Sequence, residues 1–165
     1  MILIFSSKYP KELRRECEFV QPDEHSFLFK ILFDELSNHS SAVGLAAPQI
    51  GYNKKAAIIE ANNGFIYFAN PRITKKSNPF LFRQEGCLSF PDKRIDTIRY
   101  FNIVVEDDEN GTMELNNFAA VAAAHEIEHL EGKLFFDNEV PGPYDKCFCG
   151  SDKKFKFCCK DSIMK

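Results

Sequence analysis

A chain of 165 residues can bury one well-packed core and carry a small appendage. The composition, 44% hydrophobic and 27% charged, is ordinary for a globular protein, and the formal charge of −3 gives no general argument for nucleic acid as a partner. No apolar run approaches a membrane span, and the start, MILIFSSKYPKELRRE, lacks a signal-peptide core with a small-residue cleavage site. A cytoplasmic location with no membrane partner is expected.

Residues 1–22 read as an irregular arm, in which Cys17 is expected only to pack. Residues 23–38 place Phe27, Leu28, Ile31, Leu32 and Leu36 at helical spacing, with Asp23 as a candidate N-cap. His25 and His39 flank that helix without ligand-type neighbours and read as surface residues. The stretch SSAVGLAAPQIG at 40–51 has two readings. It is a tightly packed loop leading into a strand, or its small residues let backbone approach a ligand while Gln49 presents an amide.

Strands are expected at 55–60 and 65–69, joined by Asn62-Asn63-Gly64, and a third at 72–76. Cys87, in EGCLSFP, could be buried, nucleophilic or metal-bound. Further strand signals fill 95–106 and 112–115, with a turn at Asn110-Gly111. Residues 118–130 are rich in alanine and apolar residues, with Asn116 or Asn117 as N-cap and Gly132 just past the end, so a helix is expected. Residues 133–137 could form a short strand or an extended segment, and Pro141-Gly142-Pro143 reads as a boundary. Strands followed by a helix make an α+β pattern.

That helix carries His125-Glu126-Ile127-Glu128-His129. Histidines four apart share a helix face and can reach one metal ion, with Glu126 beside them to act on water. The same pattern could simply present a polar stripe. A metal would need a third ligand, and no third histidine follows at the spacing of the metal-dependent proteases that use one; Cys87 is the alternative. Beyond the boundary, Cys147, Cys149, Cys158 and Cys159 crowd into thirteen residues. Such a cluster reads as a four-thiolate Zn(II) site rather than as disulfides. Residues 144–165 hold six lysines against three aspartates. Four thiolates around one zinc ion offset most of that excess, so direct nucleic-acid binding is not expected.

VGLAAPQIG at 43–51, EGCLSFP at 85–91 and HEIEHLEG at 125–132 resemble, in order and spacing, the three motifs of peptide deformylase, and the likeness extends over roughly residues 1–140. The resemblance implies antiparallel sheets around the HExxH helix. It implies that Cys87, His125 and His129 hold Fe(II), or Zn(II), Ni(II) or Co(II). It implies that Glu126 is the general base and later proton donor, and that Gln49 and the N–H of Leu88 stabilise the oxyanion. Gly44 would bond substrate backbone, and Arg94 would support the cleft or touch substrate, as would Arg99; Glu85 would make a structural ion pair. The implied reaction removes the formyl group from formyl-Met nascent peptides and releases formate. A metalloendopeptidase using the same helix, or a silent scaffold that docks through its tail, are the alternatives. Ala42, Ala124 and Glu128 depart from the family pattern, where Gly, Gln and Asp are common. CFCGSDKKFKFCC resembles the SEC-C motif, found on the preprotein-translocase motor ATPase. The expected organisation is a catalytic domain over 1–140, a linker at 141–143 and a zinc-binding tail over 144–165, with a ribosome or chaperone as candidate partner of the tail.

Overall fold

The computed structural model describes residues 1–5 and 10–164, so part of the expected N-terminal arm lies outside the described residues. The first helix, α1 (His25–Leu36), follows a 3-10 turn at Pro22–Glu24. Asp23 lies within that turn and does not cap it; the Glu24 carboxylate accepts the Gln21 N–H at 2.8 Å instead. Leu28, Leu32 and Leu36 form its buried stripe.

Two three-stranded antiparallel sheets follow. One is ordered β1 (Gly44–Ala46), β2 (Ala56–Ala61), β3 (Gly64–Ala69), so β1 is an edge. The other is ordered β4 (Arg72–Cys87), β5 (Phe90–Asp107), β6 (Gly111–Asn116), so β4 is an edge too. The third strand expected at 72–76 is therefore a strand of 16 residues. Its length was hidden by Asn78, Pro79 and Gly86, which look like breakers. An edge strand tolerates proline because its outward N–H has no ladder partner. Register shifts between Ile73 and Lys75 and between Phe82 and Cys87 bend the strand, and Asn78 and Gln84 sit at positive φ.

The helix α2 (Asn117–Leu130) packs against both sheets. Asn116 occupies the N-cap position, although its side chain makes no capping bond. Every residue from Ala120 to Leu130 is buried. Alanines at 120 and 122–124 let the strands approach closely, and Ile127, Ile59, Phe68 and Val105 fill the core between. Gly132 ends the helix at φ 72°, and a Cβ there would stand 2.8 Å from the backbone of Arg15. The segment 133–137 is not a strand: Leu134 is extended, at φ −128° and ψ 158°, and leads into a 3-10 turn at Phe135–Asn138, where Asp137 accepts the Leu134 N–H at 2.9 Å.

The C-terminal segment folds around its cysteines, with Phe155 and Ile163 buried and a short helix, α3 (Lys160–Ile163), lying against β4. Replacing Gly132 by Ala adds both a strained φ and a backbone collision. We expect a loss of about 1–3 kcal/mol, read as a lower urea midpoint with an unchanged m-value.

Candidate active site

Cys87 ends β4 and pairs with Phe90 across the tight reversal Leu88-Ser89. His125 and His129, one turn apart on α2, face it, with ring centroids 5.0 Å apart. Cys87 Sγ stands 3.3 Å from His129 Nε2, and one donor atom from each of the three residues lies within 4.8 Å of the others. The bonds of ~2.0–2.3 Å around a tetrahedral ion place its ligands on the order of 3.5 Å apart. The donor set fits a divalent metal in both spacing and chemistry.

Beneath these residues lies a buried charge network. His125 Nδ1 donates to Glu85 Oε1 at 2.6 Å, which leaves Nε2 for the cluster. Glu85 also accepts from Thr97 Oγ1 at 2.5 Å, from Arg99 Nε at 2.8 Å and from Arg99 Nη2. Arg99 Nη1 donates to Glu128 Oε2 at 2.7 Å, and Asn138 Nδ2 donates to the same oxygen at 2.8 Å. Burial pushes the Glu85 carboxyl up, but hydrogen bonds from His125 and Arg99 outweigh it and hold the group well below its usual range. Burial also lowers His129, with the nearby His125 adding to it, and so favours the neutral imidazole that ligation requires. His125 is pushed up instead, because its bonds to Cys87 and Glu85 outweigh burial. A field that favours positive charge at that ring also favours a metal cation there.

Glu126 lies over Gly44 at the end of β1. A Cβ on Gly44 would stand 2.5 Å from Glu126 Oε1, so only glycine leaves the carboxyl room. Glu126 Oε2 is buried with no hydrogen-bond partner among the described residues, and burial raises the carboxyl to about 7. Gln49 is fixed by its Oε1, which accepts the Ala46 N–H at 2.8 Å. Its Nε2 points at Cys87 Sγ, 3.4 Å away, and at Ser89 Oγ, 3.3 Å away. A cleft of about 400 Å³ opens onto this group, bordered by Gly44, Gln49, Cys87, Leu88, Arg94 and Glu126.

The residues expected from the motifs are thus gathered in one place. Arg94 lies at the cleft rim, donating to the carbonyls of Pro91 and Lys93. Arg99 lies beneath the site, within the charge network, and does not border the cleft. Sequence reasoning missed Ser89, Thr97 and Asn138. The available signal was position: Ser89 is two residues past Cys87, and Thr97 is two before Arg99, on the same face of a strand. Cys17 is buried, and burial lifts its thiol to about 11. His25 Nδ1 lies 3.3 Å from Glu109, and His39 Nε2 lies 3.3 Å from Glu35; neither joins a metal-type cluster among the described residues.

A second cluster, Cys147, Cys149, Cys158 and Cys159, also has its sulfurs within 4.8 Å of one another. Cys147 is held by its N–H donating to Lys153 O at 2.8 Å, and Gly150 turns the loop at φ 75°. Hydrogen bonds from Ser151 help pull Cys149 down to about 6, whereas burial and the neighbouring thiols lift Cys159 to about 12.

The family model for polypeptide deformylase matches residues 3–142. The chain belongs to the polypeptide deformylase family. It is 39% identical over 117 residues to peptide deformylase 1 of Vibrio vulnificus, a match covering 67% of this chain and 69% of that protein. It is 35% identical over 149 residues to the peptide deformylase of Karelsulcia muelleri, covering 83% of this chain and 76% of the relative. Among solved structures, peptide deformylase from Plasmodium falciparum superimposes with a TM-score of 0.74 at 27% identity, over 85% of this chain and 86% of that one. The four-cysteine cluster lies beyond the matched residues.

Exchanging Glu85 for Gln removes the charge that orients His125. We expect metal affinity to fall about 10–100-fold in a competitive chelator titration. Unchanged affinity would exclude Glu85 from orienting the ligand.

Proposed function

We propose that this deformylase hydrolyses the N-terminal formyl group of formyl-Met peptides, releasing formate and a free amine. The observation that carries the reading is the convergence of Cys87, His125 and His129 in a cleft where Glu126 holds an unpartnered carboxylate oxygen. These three residues would hold Fe(II), or Zn(II), Ni(II) or Co(II) in its place. When bound, such an ion polarises the formyl oxygen and makes water easier to deprotonate.

The remaining steps belong to the chain's own groups. Glu126 accepts the proton of the attacking water at Oε2 and returns it to the leaving nitrogen. Gln49 Nε2 and the Leu88 N–H receive the developing oxyanion; such a donor is typically worth ~2.7–4 kcal/mol of the barrier. Gly44 and Arg94 take the peptide. The edges of β1 and β4 both border the cleft, so an extended substrate can hydrogen-bond to either one. Val121 and Ala122, small and apolar at the cleft wall, suit the methionine side chain.

A metalloendopeptidase shares the helix, but it leaves the Cys87 ligand and the Gln49 amide without a purpose. Glu126→Ala should abolish formate release from formyl-Met-Ala while bound metal stays at the wild-type level. Formate release at the wild-type rate would remove Glu126 as the base, and cleavage of internal peptide bonds would favour the endopeptidase.

The organisation we propose is a catalytic domain over 1–140, a linker at 141–143 and an SEC-C-like tail over 144–165 that binds Zn(II) through its four thiols. Four convergent sulfurs supply the full ligand set of a tetrahedral structural site. No helix of the described residues is long and apolar enough to cross a membrane, and the proposed setting is the cytoplasm, on nascent chains. Exposed Tyr144 and Phe157, flanked by Lys154 and Lys156, give the tail a surface for docking to a ribosome or chaperone. Removal of residues 144–165 should abolish co-sedimentation with ribosomes; equal co-sedimentation of both forms would count against ribosome docking.

A further inference from the structure

The segment that joins the two cysteine-containing clusters is tied down along its length. Strand β6 pairs with β5 only over residues 102–107, which leaves one side of β5 open at Asp96 and Thr97. Residues 139 and 140 fill it. Glu139 forms an antiparallel bridge with Thr97, and the Val140 N–H donates to Asp96 O at 3.2 Å. Just before them, Asn138 Nδ2 donates to Glu128 Oε2 at 2.8 Å. Just after them, the Gly142 N–H donates to Asp145 Oδ2 at 2.8 Å, and Pro143 O accepts the Lys156 N–H at 2.9 Å. Pro141 and Pro143 fix φ on either side of Gly142. The stretch 138–143 is therefore a strut and not a loose tether.

Each end of the strut reaches a set of metal-type ligands. At the catalytic end, two routes converge on Glu85, which orients His125. Asn138 bonds Glu128, Glu128 accepts from Arg99, and Arg99 donates to Glu85. More directly, Thr97, whose backbone meets Glu139, donates its hydroxyl to Glu85 at 2.5 Å. At the tail end, residues 143–145 are bonded to residues 155–156, directly before Cys147 and Cys158, and α3 begins directly after Cys159 and lies against β4. Phe155 and Ile163 are the large apolar side chains the tail buries. A module with so small a core folds when a metal joins its thiols and frays without one. Coupling between two sites needs an element with two states that both sites bias. The tail is such an element.

We propose that the zinc-loaded tail holds Asn138 and Thr97 in place and thereby positions His125, so that occupancy of the tail site sets the metal affinity of the catalytic site. This rests on the readings of the tail as a zinc site and of Cys87, His125 and His129 as the catalytic ligands. Asn138 is a positioning residue: it lies outside the cleft lining and acts through Glu128, Arg99 and Glu85. The coupling is reciprocal, so a filled catalytic site also tightens zinc in the tail.

The test gives the full chain one equivalent of zinc and then one of nickel, and follows nickel retention against a competing chelator. Elemental analysis reads the two metals separately, at chelator concentrations that leave zinc bound. Nickel affinity should fall about tenfold in the double variant Cys149→Ser, Cys158→Ser, and by a similar factor in Asn138→Ala with its zinc retained, the range seen when groups behind a metal ligand are removed. Asn138→Gln, which keeps the amide donor, should restore most of the loss. Combining Asn138→Ala with the cysteine variant should cost no more than either alone, because both break one route. Unchanged nickel affinity in the cysteine variant, or losses that simply add, would overturn the coupling. Hydrogen exchange of the full-length Cys87→Ser chain keeps the test open if the cysteine variant does not fold. One equivalent of zinc should slow exchange at residues 95–99 and 135–140 as well as in the tail; slowing confined to 144–164 overturns the coupling alone. A wild-type tail that takes up no zinc defeats the zinc reading and the coupling with it.

Discussion

The buried guanidinium of Arg99 is the constraint on which the site depends. It is 2% exposed and bonds two carboxylates, Glu85 on β4 and Glu128 on α2. Burying three charges is costly, and it becomes tolerable only when each is paired with good geometry. The pairing therefore fixes the position of α2 relative to the second sheet. The same Glu85 accepts the His125 Nδ1 proton and so sets which nitrogen faces Cys87. Glu128, where the family commonly has the shorter aspartate, also accepts from Asn138 and ties in the turn that follows the helix. One connected set of charges thus sets the helix position, the ring tautomer and the loop beyond it.

Around that network the helix has to be buried on all sides. Its small residues allow this: Ala123 and Ala124 pack among strand residues, and Gly44 leaves the space that Glu126 fills. A buried helix bearing two histidines and two glutamates would be unstable if all four were idle. Glu128 is satisfied by Arg99 and His125 by Glu85. Glu126 Oε2 and His129 Nδ1 remain unpartnered among the described residues. Left unmade, such bonds cost more than they return to stability when made, and they collect at sites built for a ligand or a proton transfer.

The two cysteine-containing clusters differ in the number of donors, three against four. Cys87, His125 and His129 leave a side facing a cleft, which is what chemistry on a ligand requires. The four tail sulfurs, within 4.8 Å of one another, already number the four ligands of a structural site. The tail is not detached from the rest: α3 rests on β4, and the thiols of Cys149 and Cys159 are near enough to Tyr100 to add to the effect of burial in raising its hydroxyl. The sheet that carries the cleft on one strand end therefore also carries the tail.

The sequence by itself determined the helix α2 with its two histidines, the hairpins at Asn62-Asn63-Gly64 and Asn110-Gly111, and the crowding of four cysteines in the tail, whereas Cys87 was joined to the histidines by family resemblance. These are local matters: helical spacing puts His125 and His129 on one face, and turn residues declare themselves. It misjudged the length of β4 and did not show the turn at Phe135–Asn138, because a bulged edge strand and a 3-10 turn owe their form to what they pack against. Only the tertiary structure decided that Arg99 lies beneath the site rather than in the cleft, that Gly44 makes room for Glu126, and that Ser89 and Thr97 take part. Each of these depends on contacts between segments far apart in the chain. Periodicity reports which face of an element is buried, but not which distant side chain will meet it there.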